Sequence, residues 1–202
     1  SPNMARTVFA RTAACAPSGL RNDSWALTVL GRKGDHVIQF VVRAWRPGTS
    51  VERVVEETKA ELLRFGLRSV ASDQYGSEVT KAHFERAGLR LEEQPFTSGP
   101  SSPKAVGFKA LKEQVIARRI RLLDDGEQTR ELQLLEVTRL SGGGERIAAP
   151  GRLHDDRACA LALGVHMLCS ETGAAGFLRF LGRQIGENER PAKENRFGEA
   201  VA

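Results

Sequence analysis

Short apolar runs, each closed by Gly, Pro or Asp, divide the chain into segments with strand-like and helix-like periodicity. Residues 7–14 predict a buried strand that ends at the turn-prone Ala16-Pro17-Ser18-Gly19. Two further strands are predicted over 26–30 and 37–44. The Arg32-Lys33-Gly34-Asp35 between them has tight-turn chemistry and predicts an antiparallel hairpin. Pro47-Gly48-Thr49-Ser50 breaks the pattern, and Ser50 is suited to cap a helix over 51–65. There Val51, Val54, Val55, Thr58, Leu62 and Phe65 recur at helical spacing before Gly66. A short apolar run, 67–71, predicts a buried strand delivering Ser72-Asp73 at its end. A helix over 78–87, stopped by Gly88, and a fifth strand over 89–95 follow.

After the loop 99–103 comes a basic helix, 105–118, then a short extended piece, 120–123, closed by Asp124-Asp125-Gly126. Residues 132–140 and 145–149 flank Ser141-Gly142-Gly143-Gly144 and predict a second hairpin. Residues 151–156 lead into a nearly all-apolar helix running to Cys169, which its composition predicts to be buried. Beyond Ser170 the chain thins to Gly, Glu, Asn and Arg: 176–185 can hold an amphipathic helix, and 188–202 reads as disordered. The opening hairpin favours antiparallel pairing and the later strand–helix alternation parallel pairing. A mixed α/β sheet covered by helices reconciles the two. The expected organisation is one domain over 1–170 and a C-terminal helix and flexible tail over 171–202.

Composition narrows the function classes. A chain of 202 residues with 41% hydrophobic and 27% charged residues can bury an ordinary globular core. The longest apolar stretch, 158–168, is too short for a bilayer span, so no membrane role is expected. Ser1-Pro2-Asn3-Met4 reads as a remnant of cloning rather than a secretory signal. Cys15, Cys159 and Cys169 are an odd number without a C-x-x-C pair, which argues against a zinc site or disulfide framework and fits a reducing cytoplasm.

The charge is concentrated. Lys104, Lys109, Lys112, Arg118, Arg119 and Arg121 face only Glu113, an excess equal to the whole chain's +5. Such a field suits a polyanion, nucleic acid first, and equally describes a solvated helix face. Candidate chemistry sits where an open α/β sheet gathers its site, at strand ends and helix starts. Asp73 directly follows a buried strand, where a turn role is the plainer reading. His154-Asp155-Asp156 heads the apolar helix; one Asp is explained as an N-cap and the second is to spare. Asp23 lies in the loop after the first strand, whose end carries Ala16 instead of an acid.

In order and spacing these segments resemble the nuclease domain of tailed-bacteriophage large terminase subunits. The stretches that carry the resemblance are Ala16-Pro17-Ser18-Gly19 leading to Asp23-Ser24-Trp25-Ala26-Leu27, Ser72-Asp73-Gln74-Tyr75, and His154-Asp155-Asp156 before an Ala/Leu-rich helix. The Lys104-containing helix running to Arg121-Leu122-Leu123-Asp124-Asp125 is similar as well, and the resemblance spans about residues 5–170. It implies a ribonuclease H-like α/β fold: a mixed five-stranded sheet flanked by helices, with an added hairpin before the C-terminal helix. It further implies an endonuclease cutting double-stranded concatemeric phage DNA during packaging with two divalent ions, Mg²⁺ or Mn²⁺. Asp73, Asp155 and Asp156 would be metal ligands, Asp23 an auxiliary acid, and Ala16 the place of the remaining catalytic Asp. Lys104, Lys109, Lys112, Arg118, Arg119 and Arg121 would bind DNA. The implied partners are DNA, the ATPase domain of the full-length protein, the small terminase subunit and the portal or procapsid, in the host cytoplasm.

Two departures matter. Ala16 replaces the expected acid while Pro17-Ser18-Gly19 is kept, which reads as an engineered Asp→Ala change that inactivates the domain. No G-x-x-x-x-G-K-[ST] loop is present, so the chain is expected to cut or bind DNA but not to translocate it. The alternatives are a Holliday-junction-resolvase- or transposase-like nuclease, a non-catalytic DNA-binding module of the same fold, and a docking domain acting through the tail after Gly173.

Overall fold

The computed structural model describes residues 10–16, 24–73, 78–94, 103–141, 144–151 and 153–170. The elements are β1 (Ala10–Ala16), β2 (Trp25–Lys33), β3 (His36–Trp45), α1 (Val51–Arg64), β4 (Ser69–Ser72), α2 (Glu78–Arg86) and β5 (Arg90–Glu93). They continue as α3 (Pro103–Ile116), β6 (Ile120–Arg121), α4 (Gly126–Gln133), β7 (Glu136–Arg139), β8 (Glu145–Ala148) and α5 (Asp156–Ser170). One mixed sheet has the order β5-β4-β1-β2-β3-β6, and β7 and β8 form a separate hairpin. β1 to β3 pair antiparallel, while β4, β5 and β6 pair parallel to their neighbours. The two-residue β6 extends the expected five strands by one edge. Asp23, Gln74-Tyr75, Gly142-Gly143, the loop 99–102 and the tail 171–202 lie outside the described residues.

Side-chain alternation along the strands builds two cores. On one face Ala13, Cys15, Trp25, Leu27, Val29 and Val70 pack against α1 and α2 through Val54, Leu62 and Phe84. On the other, Ala14, Ala16, Ala26, Leu30 and Ala71 pack against Phe108 and Leu111 of α3 and the apolar length of α5. The expected burial of α5 is met, with Ala158, Leu161, Ala162 and Val165 at zero exposure. α5 lies close on the sheet because both surfaces are made of small residues. A β-carbon on Gly164 would stand 2.8 Å from Leu30 Cδ1 and 3.3 Å from Thr28 Cγ2. Gly164→Val is therefore expected to destabilise the fold by about 1–3 kcal/mol through overpacking, measurable as a lower urea midpoint; an unchanged midpoint would mean the interface has slack.

The structure differs from the sequence reading at one element. Residues 126–133 form α4 rather than a loop leading into a strand that starts at 132, and that strand begins only at Glu136. Asp125 caps α4, its Oδ1 accepting from Gln128 N at 2.7 Å. What α4 buries is polar: Gln128 and Glu131 are both nearly inaccessible. Gln128 and Gln39 of β3 donate to each other through their side-chain amides at 2.8 and 3.0 Å. Gln39 Nε2 also donates to Thr28 Oγ1 at 3.0 Å. A bulge makes this contact available: Val29 faces Val41 and Leu30 faces Gln39, so Phe40 is the extra residue and stays on the α1 face.

Candidate functional site

The end of the sheet where β1 and β4 finish is where the candidate acids can meet. β1 and β4 run parallel with Cys15 opposite Ser72, so Ala16 and Asp73 come next, side by side. Ala14 and Ala71 share the α5 face. Alternation puts Ala16 and Asp73 on that same face.

The register of α5 against the sheet fixes where its acids lie. Gly164 sits over Thr28 and Leu30, which pair with Ala14 and Thr12 of β1. Arg32 Nη1 reaches Leu168 O at 3.5 Å, level with Ala10. From Gly164 back to Asp156 is about 12 Å of helix; from the middle of β1 to Ala16 is about 10 Å of strand. The N-terminus of α5 thus arrives at the level of Ala16 and Asp73, and Ala158 packs in one cluster with Ala16 and Ala71.

Asp155 and Asp156 are not interchangeable. Asp155 precedes the first helical turn, its main-chain oxygen accepting from Cys159 N at 2.7 Å. Its Oδ2 takes Lys104 Nζ at 3.5 Å and Ala149 N, just past β8, at 3.4 Å. Asp156 Oδ2 lies 3.8 Å from His154 Nδ1, with His154 half-exposed. The N-terminal cap expected of this Asp pair is supplied from elsewhere: Glu131 Oε2 accepts from Ala158 N at 2.9 Å, and Glu131 Oε1 from Arg157 Nη1 at 3.2 Å. Burial raises the Glu131 pKa, opposed by the Ala158 amide and the Arg157 guanidinium. No sequence signal marked Glu131, because its partners are 26 and 27 residues downstream.

Lys104 belongs to this acidic end rather than to an open basic surface. Its side chain is 18% exposed, against 21% for Asp155, and its ammonium lies 5.9 Å over the Phe108 ring. Burial works to lower its pKa, and the Asp155 carboxylate works to raise it. Cys159 is pushed up by burial, so it stays a neutral thiol.

The other basic residues do not join Lys104 in one patch. Lys109 pairs with Glu145 of β8 at 2.9 Å, and Lys112 is exposed further along α3. Between α3 and the β7–β8 hairpin lies a cavity of ≈ 510 Å³ whose lining includes Lys109, Arg139 and Glu145. Arg118, Arg119 and Arg121 stand at the opposite end of the sheet: Arg119 O accepts from Val37 N at 2.8 Å, and Arg121 pairs with Ile38. Val37 is seven residues from Ala44, which is level with Ala16 through Ala26, a separation of about 23 Å.

This architecture has known counterparts among solved structures. The large terminase nuclease of the thermophilic phage G20c superposes with TM-score 0.66 at 20% identity, covering 76% of this chain and 80% of that one. The chain has the fold of a large-terminase nuclease domain. The same G20c nuclease with bound magnesium matches at TM-score 0.63 and 21% identity over 77% and 80% of the two chains. The HK97 large terminase matches at 0.65 and 17% identity, over 77% of this chain and 39% of its own. No protein-family model matches the sequence, and no curated protein matches it either.

Within this terminase-nuclease fold, metal binding has a specific obstacle. Carboxylates from separate segments are the hard oxygen donors that Mg²⁺ or Mn²⁺ prefers. Among the described residues, however, no group of three or more His, Cys, Asp or Glu is placed to hold a metal ion. Among the described residues the donors do not fit a two-ion centre, and Ala16 occupies a position where a further carboxylate would reach it. Both tryptophans are core residues: Trp25 stacks on Phe84 at 5.9 Å, and Trp45 is buried with its indole donating to Glu57 at 2.9 Å. Of the remaining histidines, His36 is exposed and His83 and His166 are partly buried. No helix among the described residues is long and apolar enough to cross a membrane.

Proposed function

We propose that this chain is the DNA-cutting domain of a phage large terminase, an endonuclease for double-stranded concatemeric DNA during genome packaging, silenced by Ala16. The observation that carries the reading is the meeting of β1, β4 and α5 at one end of the sheet, with Ala16, Asp73 and the Asp155–Asp156 pair at that end. The likeness to the terminase nucleases adds support from the fold. With an acid at position 16, Asp73 and the Asp155–Asp156 pair would hold divalent ions, which would supply a metal-activated water and stabilise the leaving oxygen of a phosphodiester. On this reading residues 1–170 are the nuclease and 171–202 its tail. The partners are the ATPase domain of the full-length protein, the small subunit and the portal, in the host cytoplasm.

The chain's own residues divide the remaining work. Lys104 holds the Asp155 carboxylate at the acidic end. Lys109 and Lys112 line the approach beside the hairpin, and Arg118, Arg119 and Arg121 take phosphates further along the duplex. Binding is then largely to phosphates, so its salt dependence reports how many the protein neutralises. Replacing Arg118, Arg119 and Arg121 together by Ala should lower the slope of log K against log salt by about 1 for each phosphate no longer neutralised. Lys104→Ala should leave that slope nearly unchanged. A slope that falls mainly with Lys104 would reverse this division.

A second reading has one observation in its favour, the lack of a three-donor group among the described residues: a non-catalytic DNA-binding module in which Ala16 is native. Calorimetry with Mn²⁺ on Ala16→Asp separates the two, because a binding module gives no heat that depends on Asp73.

A further inference from the structure

Among the described residues three helices have a visible N-terminal cap, and one is capped in an unusual way. α1 and α4 each begin with the residue before the helix accepting from the amide three positions on: Ser50 from Arg53 N at 3.3 Å and Asp125 from Gln128 N at 2.7 Å. Asp155 holds the equivalent place in α5 and has the right chemistry for the same bond. The amide it would take, Ala158 N, is instead bonded to Glu131 Oε2 of α4. The Asp155 carboxylate is taken by Lys104 and Ala149 instead.

We infer that Glu131 is a positioning residue of the acidic end: by capping α5 in place of Asp155, it keeps the Asp155 carboxylate facing Lys104. The helix N-terminus needs an acceptor for its free amides, and Glu131 provides it from a side chain only 6% exposed. Arg157 accompanies Glu131, and its Nε also lies 3.6 Å from Asp125, the cap of α4. The starts of α4 and α5 are thereby tied through one guanidinium. The docking of α4 by the Gln39–Gln128 pair sets the height at which Glu131 meets α5. The value of this arrangement to cleavage rests on the proposed function; the capping exchange itself does not.

The test is a crystal structure of Glu131→Ala beside one of Glu131→Gln. In Glu131→Ala the Asp155 side chain is expected to leave Lys104 and accept from Ala158 N, as Ser50 and Asp125 do in their helices. In Glu131→Gln, whose carbonyl oxygen can still accept from Ala158 N, Asp155 should stay on Lys104. If Glu131→Ala does not fold, Glu131→Asp withdraws the acceptor by one methylene and should produce the same rotation. Asp155 remaining on Lys104 when Ala158 N has no other acceptor overturns the inference. Functionally, in the Ala16→Asp background, Glu131→Ala should weaken Mn²⁺ binding by about tenfold, and Glu131→Gln should restore it. Equal affinity in both variants leaves Glu131 merely structural and also overturns the inference. If Ala16→Asp alone binds no Mn²⁺, the nuclease reading fails, and the two crystal structures still decide the capping exchange.

Discussion

Ala16→Asp is expected to turn on Mg²⁺- or Mn²⁺-dependent nicking of supercoiled plasmid, at a rate about a thousandfold or more above the present chain. Ion-held transition-state charge is worth several kcal/mol, and each 1.36 kcal/mol is about tenfold in rate. The gain should need Asp73: Asp73→Asn in the same background should return nicking to the starting level, because Asp73 stands next to position 16 across the β1–β4 pair. Ala16 is the last residue of β1, still paired with Ala26 and buried, so the new carboxylate should cost some stability that a bound ion recovers. Chelation with EDTA should abolish the activity. If Ala16→Asp stays inactive with either ion and Asp73→Asn changes nothing, the acidic end is not a nuclease centre. Comparing linear with junction DNA on the same variant tells a packaging nuclease from a junction resolvase.

Phe84→Ala should have the largest effect on stability, a loss of about 3–5 kcal/mol in urea or thermal unfolding. Phe84 is fully buried and stacks on Trp25, so truncation removes both the ring's burial and its partner. Against a total stability of about 5–15 kcal/mol for a domain of this kind, that loss leaves little margin. Phe84 lies on the α1–α2 face of the sheet, whereas the acids open on the α5 face. Measured in the cold, where the variant stays folded, Ala16→Asp with Phe84→Ala should therefore nick DNA nearly as fast as Ala16→Asp alone. A loss below about 1 kcal/mol would mean the core collapses around the missing ring.

The strands and helices whose burial is apolar were legible from the sequence. The apolar runs of β2 and β3, the Lys33-Gly34-Asp35 turn and the Ser50 start of α1 have local physical causes, and the structure repeats them. α4 was not legible because its buried side chains are Gln128 and Glu131, which a hydrophobic period treats as surface. Leu132, Leu134 and Leu135 around its end then imitated the start of a strand. The basic run was legible as charge but not as shape: a helix about 20 Å long carries Lys104 to one end of the sheet and the arginines to the other. Asp73, Asp155 and Asp156 drew attention through their place at element ends, whereas Lys104 as an ion partner and Glu131 as a cap depend on pairings across 51 and 27 residues. No local pattern encodes such pairings.

The shared cap also bears on the order in which the molecule assembles. α1 can nucleate with a bond formed three residues away, but α5 must wait for a carboxylate from 27 residues upstream. Closing so long a loop before the bond forms costs chain entropy and slows the step. The last helix should consequently gain its full hydrogen-exchange protection only once α4 has docked, making the acidic end the latest part of the domain to become rigid.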